Sequence, residues 1–317
     1  MKRKAGSKAG NKAAKKKKSP ASGGRPPKRG ATTRGRAVSK PVAVKRKAST
    51  KTRRQLKRSI KKQTARLLSP TLLQPVAFTT APAIFAGLDT GSFPGLNPLG
   101  AWFGQCPYTW LGYYLNSPCH SAAKYAPWMG NWRTLLQQGW SGLAILYVGH
   151  QVQKCGSADL SRGTGQAHGQ STISLMATDE QFPAGCVVFL DVEPFDPPLP
   201  QNMSDYVRGW IRALLDDGRF KPAIYCHTKN ANDLLLASQQ EFADAGRASG
   251  RPLFWVTHPV DSFSVSTSSP VDSGVAFADI WQGLTDTNET YNNVTLPLDA
   301  NVSVLSNPSN VPGNLSQ

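Results

Sequence analysis

Eight short apolar runs, separated by longer helix-compatible stretches, recur between Ile84 and Val302, and this alternation limits the fold more than any other feature of the chain. The runs are IFAGLD (84–89), LGYYL (111–115), LAILYVG (143–149), CVVFLDVE (186–193), PAIYCH (222–227), PLFWVTH (252–258), AFADIWQ (276–282) and LPLDANV (296–302). Runs of this length read as strands, and the stretches between them as the crossover helices of βα units around a parallel sheet. In NMSDYVRGWIRALLDDG, Met203, Val207, Trp210, Ile211 and Leu214 recur at helical spacing and Gly218 supplies a stop. WRTLLQQGW and NANDLLLASQQEFADAG behave alike. Eight strands with crossovers in this length predict an α/β fold, a (β/α)8 TIM-type barrel in preference to an open doubly wound sheet. Little room for helix remains after Gln282, so the last units are expected to close the barrel irregularly.

The barrel does not begin at the N-terminus. Of the 37 Lys and Arg residues, 26 lie between Lys2 and Arg66, a stretch with no Asp, Glu, Cys or aromatic residue, which leaves 11 basic against 19 acidic residues in the remainder. Such a segment cannot bury enough apolar surface to offset its chain entropy. The expected organisation is a disordered basic tail over 1–66, a linker over 67–82, a barrel over 83–306 and a flexible C-terminus over 307–317. A polycation binds polyanions through counterion release, with little sequence preference. DNA, RNA or an anionic wall polymer is the partner expected for residues 1–66. Without aromatic side chains the segment offers no platform for stacking bases.

Other classes are disfavoured. The first strand is not followed by GxGxxG and no Walker sequence is present, so no nucleotide cofactor is expected. Five cysteines without C-x-x-C spacing predict no metal site. Cys186 and Cys226 sit in apolar runs and read as core. Cys119 and Cys155 lie in loop-like sequence and would pair in an oxidising compartment. No run of 18 or more apolar residues suggests a spanning helix, and the N-terminus lacks the apolar core of an ordinary secretory signal. A cytoplasmic or nucleoid-associated location is expected on that ground. Export through the twin-arginine-like stretch TRRQLKR, with Arg53 and Arg54, is the alternative.

The chemistry concentrates at strand ends. In CVVFLDVEP, side-chain alternation puts Asp191 and Glu193 on one face, their Cα atoms about 6–7 Å apart. Two close carboxylates in an apolar setting raise one another's proton affinity, so the pair calls for a function. Asp89 ends the first strand and Asp299 the last, and first and last strands are neighbours in a closed barrel. Tyr114, Tyr225, His227, Trp255 and Gln282 lie on other strands near the same end. A mouth lined by acids and aromatic rings suits a sugar, whose rings stack on aromatic faces and whose glycosidic link an acid and base pair can cleave. Taken singly, an aspartate at a strand end more often caps a helix, and His227 and Trp255 equally fit satisfied packing roles.

Taken in order, GLDTGSFPG, WLGYYLNSPCH, WMGNW, GWSGLAILYVGHQ, FLDVEP, AIYCHTKNA, DIWQG and PLDANV resemble the bacterial glycoside-hydrolase-like domain of unknown function that is related to the family 25 muramidase-type lysozymes. The resemblance runs from about Ala83 to Val304. The tail lies outside it and resembles instead the tails of histone H1-like proteins. The first resemblance implies a lysozyme-like hydrolase in which Glu193 is the general acid. Asp191 would activate water or stabilise the oxocarbenium-like charge, while Asp89 and Asp299 would position the sugar and tune the pair. The implied substrate is a β-linked amino sugar polymer such as peptidoglycan. A catalytically silent glycan-binding barrel and a nucleic-acid-associated protein acting through its tail are the alternatives.

Overall fold

All eight apolar runs become strands of one closed barrel in the computed structural model, whose described residues are 83–119 and 122–313. The basic segment with Arg53 and Arg54, and the linker that follows it, lie outside these residues. The strands are β1 (Phe85–Asp89), β2 (Trp110–Tyr114), β3 (Gly142–Val148), β4 (Val187–Val192), β5 (Lys221–His227), β6 (Phe254–Thr257), β7 (Ile280–Tyr291) and β8 (Val294–Ser303). Helices α1 (Leu96–Trp102), α2 (Ala122–Tyr125), α3 (Trp132–Gln137), α4 (Arg162–Ser174), α5 (Gln201–Asp217) and α6 (Thr228–Asp244) connect the first six. None of the described helices is long and apolar enough to cross a membrane.

Local sequence explains these elements. In α5, Met203, Val207, Trp210, Ile211 and Leu214 are all fully buried, and Gly218 ends the helix at φ 77°, a left-handed conformation that glycine adopts without steric cost. Inside the barrel, Trp110, Phe189 and Trp255 form its floor. Trp255 meets both of the other rings edge to face at 5.7 Å, and none of the three has exposed surface. Gly87 makes room for this layer, because a Cβ there would run into the Trp110 indole.

Closure is irregular, as the shortage of helix after Gln282 implied. Strands β1 to β7 run parallel, but β8 is antiparallel to both β7 and β1. The link from β6 to β7 holds only a short 3-10 turn at Pro270–Ser273. Strands β7 and β8 form a hairpin through Asn292 and Asn293, both at positive φ, the conformation a two-residue hairpin turn requires and asparagine tolerates. The consequence for the site is a correction. Asp299 does not end its strand but lies mid-way along β8, and it reaches the mouth because β8 runs back down from the hairpin, in register opposite Asp89.

A second correction concerns the C-terminus, expected to be flexible from residue 307. Residues 307–311 instead pack beneath the barrel, where β3 starts before its partner β4. Ser309 fills this gap: its N–H donates to Leu143 O (2.7 Å), its Oγ accepts from Ile145 N (2.7 Å) and its carbonyl accepts from Val187 N (2.9 Å). Val311 beside it is fully buried. Ending the chain at residue 306 is therefore expected to cost about 3 kcal/mol, from one lost aliphatic burial and the broken hydrogen bonds. A lower guanidinium midpoint than that of the full chain would register it.

Cys119 and Cys155 form a disulfide that joins the loop after β2 to the loop after β3, while Cys186 and Cys226 are buried as free thiols.

Candidate active site

Four carboxyl groups gather at the C-terminal ends of the parallel strands. Asp191, the fifth residue of β4, is 7% exposed, whereas Glu193, just past the strand, is exposed. Asp89 is 3% exposed at the end of β1. A Cβ at residue 112 would run into that of Asp89, so Gly112 on β2 leaves the space the acid occupies.

Asp89 and Asp299 each have a defined set of partners. Asp89 Oδ1 accepts from the Tyr114 hydroxyl (2.8 Å) and Oδ2 from Asn301 Nδ2 (2.9 Å), and Asn301 Oδ1 accepts from Trp255 Nε1 (2.9 Å). The Tyr114 ring stacks on Tyr125, centroids 4.9 Å apart. Asp299 Oδ2 accepts from Gln282 Nε2 (2.6 Å) and Oδ1 from the Asp286 N–H (2.7 Å). Gln282 Oε1 accepts from the Tyr225 hydroxyl (2.6 Å), which fixes the amide's orientation. Asp191 Oδ1 is buried with no hydrogen-bond partner among the described residues.

The electrostatics follow chiefly from burial. Desolvation, then the charge of Asp299, pushes Asp89 up to about 8. Desolvation, then the charges of Glu193 and Asp89, raises Asp191 well above the usual carboxylate range, with Lys124 opposing. Asp299 rises to about 6, again mainly by desolvation, against the hydrogen bond from Asp286. Glu241 is the contrast. Desolvation alone would raise it, but hydrogen bonds from Arg162 (2.7 Å), Arg212 (2.7 Å) and Arg208 (3.0 Å) hold it below the usual range, and the group ties α4, α5 and α6 together. A structural acid in this fold is surrounded by guanidinium groups, and the mouth acids are not.

Not every residue singled out in the sequence reaches the mouth surface. Tyr114, Gln282 and the half-buried Tyr225 line the cluster through the bonds above. Trp255 is a correction: with no exposed surface it cannot offer a wall to a sugar, and it supports Asn301 and Tyr225 from below, the Tyr225 ring meeting it edge-on at 5.2 Å. His227 is half-buried at the end of β5, where its Nδ1 accepts from the Lys229 N–H (3.0 Å) and caps α6. The residues that sequence reasoning missed are Asn301, Gln151, Lys124 and Tyr125. Asn301 follows Asp299 by two positions on the same strand face, a signal that alternation does contain. Gln151 accepts from the Glu193 N–H (2.8 Å) and donates to Asp191 O (2.9 Å), but it sits in an aperiodic loop.

A closed barrel with carboxyl groups at the ends of its parallel strands is the architecture of glycoside hydrolase-like proteins. The chain belongs to the Rv2525c-like, glycoside hydrolase-like domain family, whose model matches residues 101–303. Among solved structures it is similar to the Tat-secreted protein Rv2525c of Mycobacterium tuberculosis, in complex with HEPES, at 15% identity over 70% of this chain and 95% of that one, TM-score 0.40. It is also similar to a family 25 glycosyl hydrolase from Bacillus anthracis, at 15% identity over 69% of this chain and 88% of that one, TM-score 0.42. The modular autolysin LytC of Streptococcus pneumoniae, in complex with a synthetic peptidoglycan ligand, matches at 10% identity over 70% of this chain, TM-score 0.46. The chain spans 47% of that autolysin's length. No curated protein matches the chain.

Proposed function

We propose that the barrel hydrolyses a cell-wall-type glycan, a β-linked amino sugar polymer such as peptidoglycan, by acid and base chemistry of its mouth carboxyls. The observation that carries this reading is the cluster itself: Asp89 and Asp191 buried and Asp299 half-buried, none of them in a salt bridge among the described residues, below a fourth acid that faces solvent. Glu193, on the rim, meets the substrate first and gives its proton to the leaving glycosidic oxygen. Asp191 lies beneath it, its carboxyl raised well above the usual range by burial and then by the charges of Glu193 and Asp89. As positive charge develops on the sugar ring, the Asp191 proton passes to Glu193 in place of the one given to the leaving oxygen, so the Asp191 anion stabilises the transition state more than the bound ground state. Asp89 and Asp299, each fixed by two hydrogen bonds, orient the sugar and keep the shared charge of the cluster low. Tyr114, Tyr225 and Gln282 set those bonds.

The basic segment adds a second property, the retention of the protein on a polyanion such as DNA, RNA or an anionic wall polymer. Its 26 positive charges without a negative one support this.

The test is the release of reducing ends from purified peptidoglycan. Wild type is expected to turn over, and Asp191→Asn to lose roughly a hundredfold or more in kcat. Deleting residues 1–66 is expected to abolish salt-sensitive retention on a polyanion while leaving turnover of a soluble glycan fragment unchanged. Saturable glycan binding by wild type with no turnover would replace the enzyme with a glycan-binding barrel.

A further inference from the structure

The loop after β3 holds two features for which the proposed chemistry has no use, the Cys119–Cys155 disulfide and the side chain of Gln151, 4% exposed. They are connected. Strand β3 stops at Val148, whose partner on β4 is Asp191, so beyond that pair the end of β4 has no neighbour on this side. The Gln151 side chain takes the neighbour's place. Its Nε2 donates to Asp191 O (2.9 Å) and to Gly149 O (2.9 Å), and its Oε1 accepts from the Glu193 N–H (2.8 Å). One amide thus grips the carbonyl of the first acid and the N–H of the second, the two groups that set the direction in which the D-x-E side chains leave the backbone. Glutamine suits the task because its amide offers a donor and an acceptor together. Glutamate would bring only acceptors to the Asp191 carbonyl, and leucine neither.

Gln151 is itself held. Its N–H donates to Cys155 O (2.9 Å), so the residue that carries one sulfur of the disulfide also fixes the start of the loop. The disulfide then ties this loop to the one after β2, across a sequence separation of 36.

We propose that Gln151 is the positioning residue of the Asp191 and Glu193 pair and that the Cys119–Cys155 disulfide holds it in place, so that reduction of the disulfide slows the reaction. This rests on the hydrolase reading above. In the reduction a dithiol supplies two electrons and two protons, the S–S bond breaks to two thiols, and the dithiol leaves as its own disulfide. The released loop no longer fixes the Cys155 carbonyl against Gln151, and the grip on Glu193 slackens.

The experiment uses the full chain and two readouts. In turnover of a soluble peptidoglycan fragment, Gln151→Leu and Gln151→Glu are expected to lower kcat roughly ten- to a hundredfold with KM changed less than about threefold, the pattern of a displaced reacting group. Dithiothreitol is expected to lower the kcat of wild type, the Cys119→Ser/Cys155→Ser variant to match the reduced protein, and Gln151→Leu to show no further response to reductant. Independently of activity, hydrogen exchange at the Glu193 amide is expected to speed up in Gln151→Leu and in reduced wild type, while amides in the middle of β4 stay protected. Unchanged Glu193 exchange in Gln151→Leu would overturn the positioning role. A wild type whose kcat and Glu193 exchange both ignore dithiothreitol, with thiol release confirmed by mass, would overturn the role of the disulfide. If Gln151→Leu fails to fold, the double serine variant and reduced wild type carry the exchange measurement. Altered exchange as expected, in a protein that turns over no glycan, would sink the hydrolase reading and leave the positioning role standing.

Discussion

Glu193→Gln is expected to lower turnover of peptidoglycan by roughly a thousandfold or more, because a positioned general acid contributes on the order of 10²–10⁴ and the amide has no proton to give. The substitution is close to isosteric, and the protein should stay folded. The side chain is exposed, and among the described residues the hydrogen bond of this residue is made by its backbone N–H, which donates to Gln151. A change at such a position stays within about 0.5 kcal/mol in stability. The variant carries a second, internal signature. Desolvation first, and then the charge of Glu193, raises Asp191, so removing that charge should let Asp191 ionise at a lower pH than in wild type. The residual activity should therefore have its Asp191-dependent limb moved toward acid. Reducing-end release against pH, alongside a thermal melt followed by circular dichroism, checks both expectations. A variant that keeps more than a tenth of wild-type turnover would remove Glu193 from the role of acid.

How much of this site could be read in the sequence depends on what kind of signal each residue carries. Asp191 and Glu193 were legible because alternation along a buried strand states which side chains share a face, and a closed barrel then puts that face at the mouth. Asp89 and Asp299 were legible as neighbours because the first and last strands of a closed barrel must meet. The direction of β8 was not, since apolar runs look the same in both directions. The clue was the Asn292-Asn293 pair, whose positive φ values make the tight turn, but asparagine is common in loops of many kinds. Depth along the strand was also hidden. Alternation places Trp255 inside the barrel, yet β6 has only four residues, and the indole ends in the floor layer with Trp110 and Phe189 and not at the rim. Gln151 and Ser309 escaped for a third reason. Each completes backbone hydrogen bonds where neighbouring strands end or begin out of step, a relation set by three-dimensional register that no local pattern records.

Asp89→Asn is expected to make the protein more stable than wild type in alkaline solution and to remove part of its loss of stability with rising pH. In the unfolded chain Asp89 ionises near the usual 3.8, whereas burial and then the charge of Asp299 raise it to about 8 in the fold. The folded state thus holds this proton over a range in which the unfolded state has released it. For a group raised in this way the stabilising contribution is complete below about pH 4 and is lost as pH climbs through about 8. Integrated over that window, the loss from this one group is on the order of 5 kcal/mol. Asp299, raised to about 6, adds to the acid half of the same decline, though the two effects do not simply sum because each owes part of its shift to its neighbours. Asparagine at position 89 fits the partners: its Oδ1 can accept from Asn301, and its Nδ2 can donate to the Tyr114 hydroxyl once that hydroxyl turns its own proton away. Guanidinium unfolding of both proteins at pH 4 and pH 9 measures the effect. Near-equal stability at pH 4 and a gain for the variant of several kcal/mol at pH 9 are expected. A difference that stays constant across this range would mean that Asp89 is ionised in the folded protein throughout, and the mouth would then be a cluster of solvated charges instead of acids that share few charges among them.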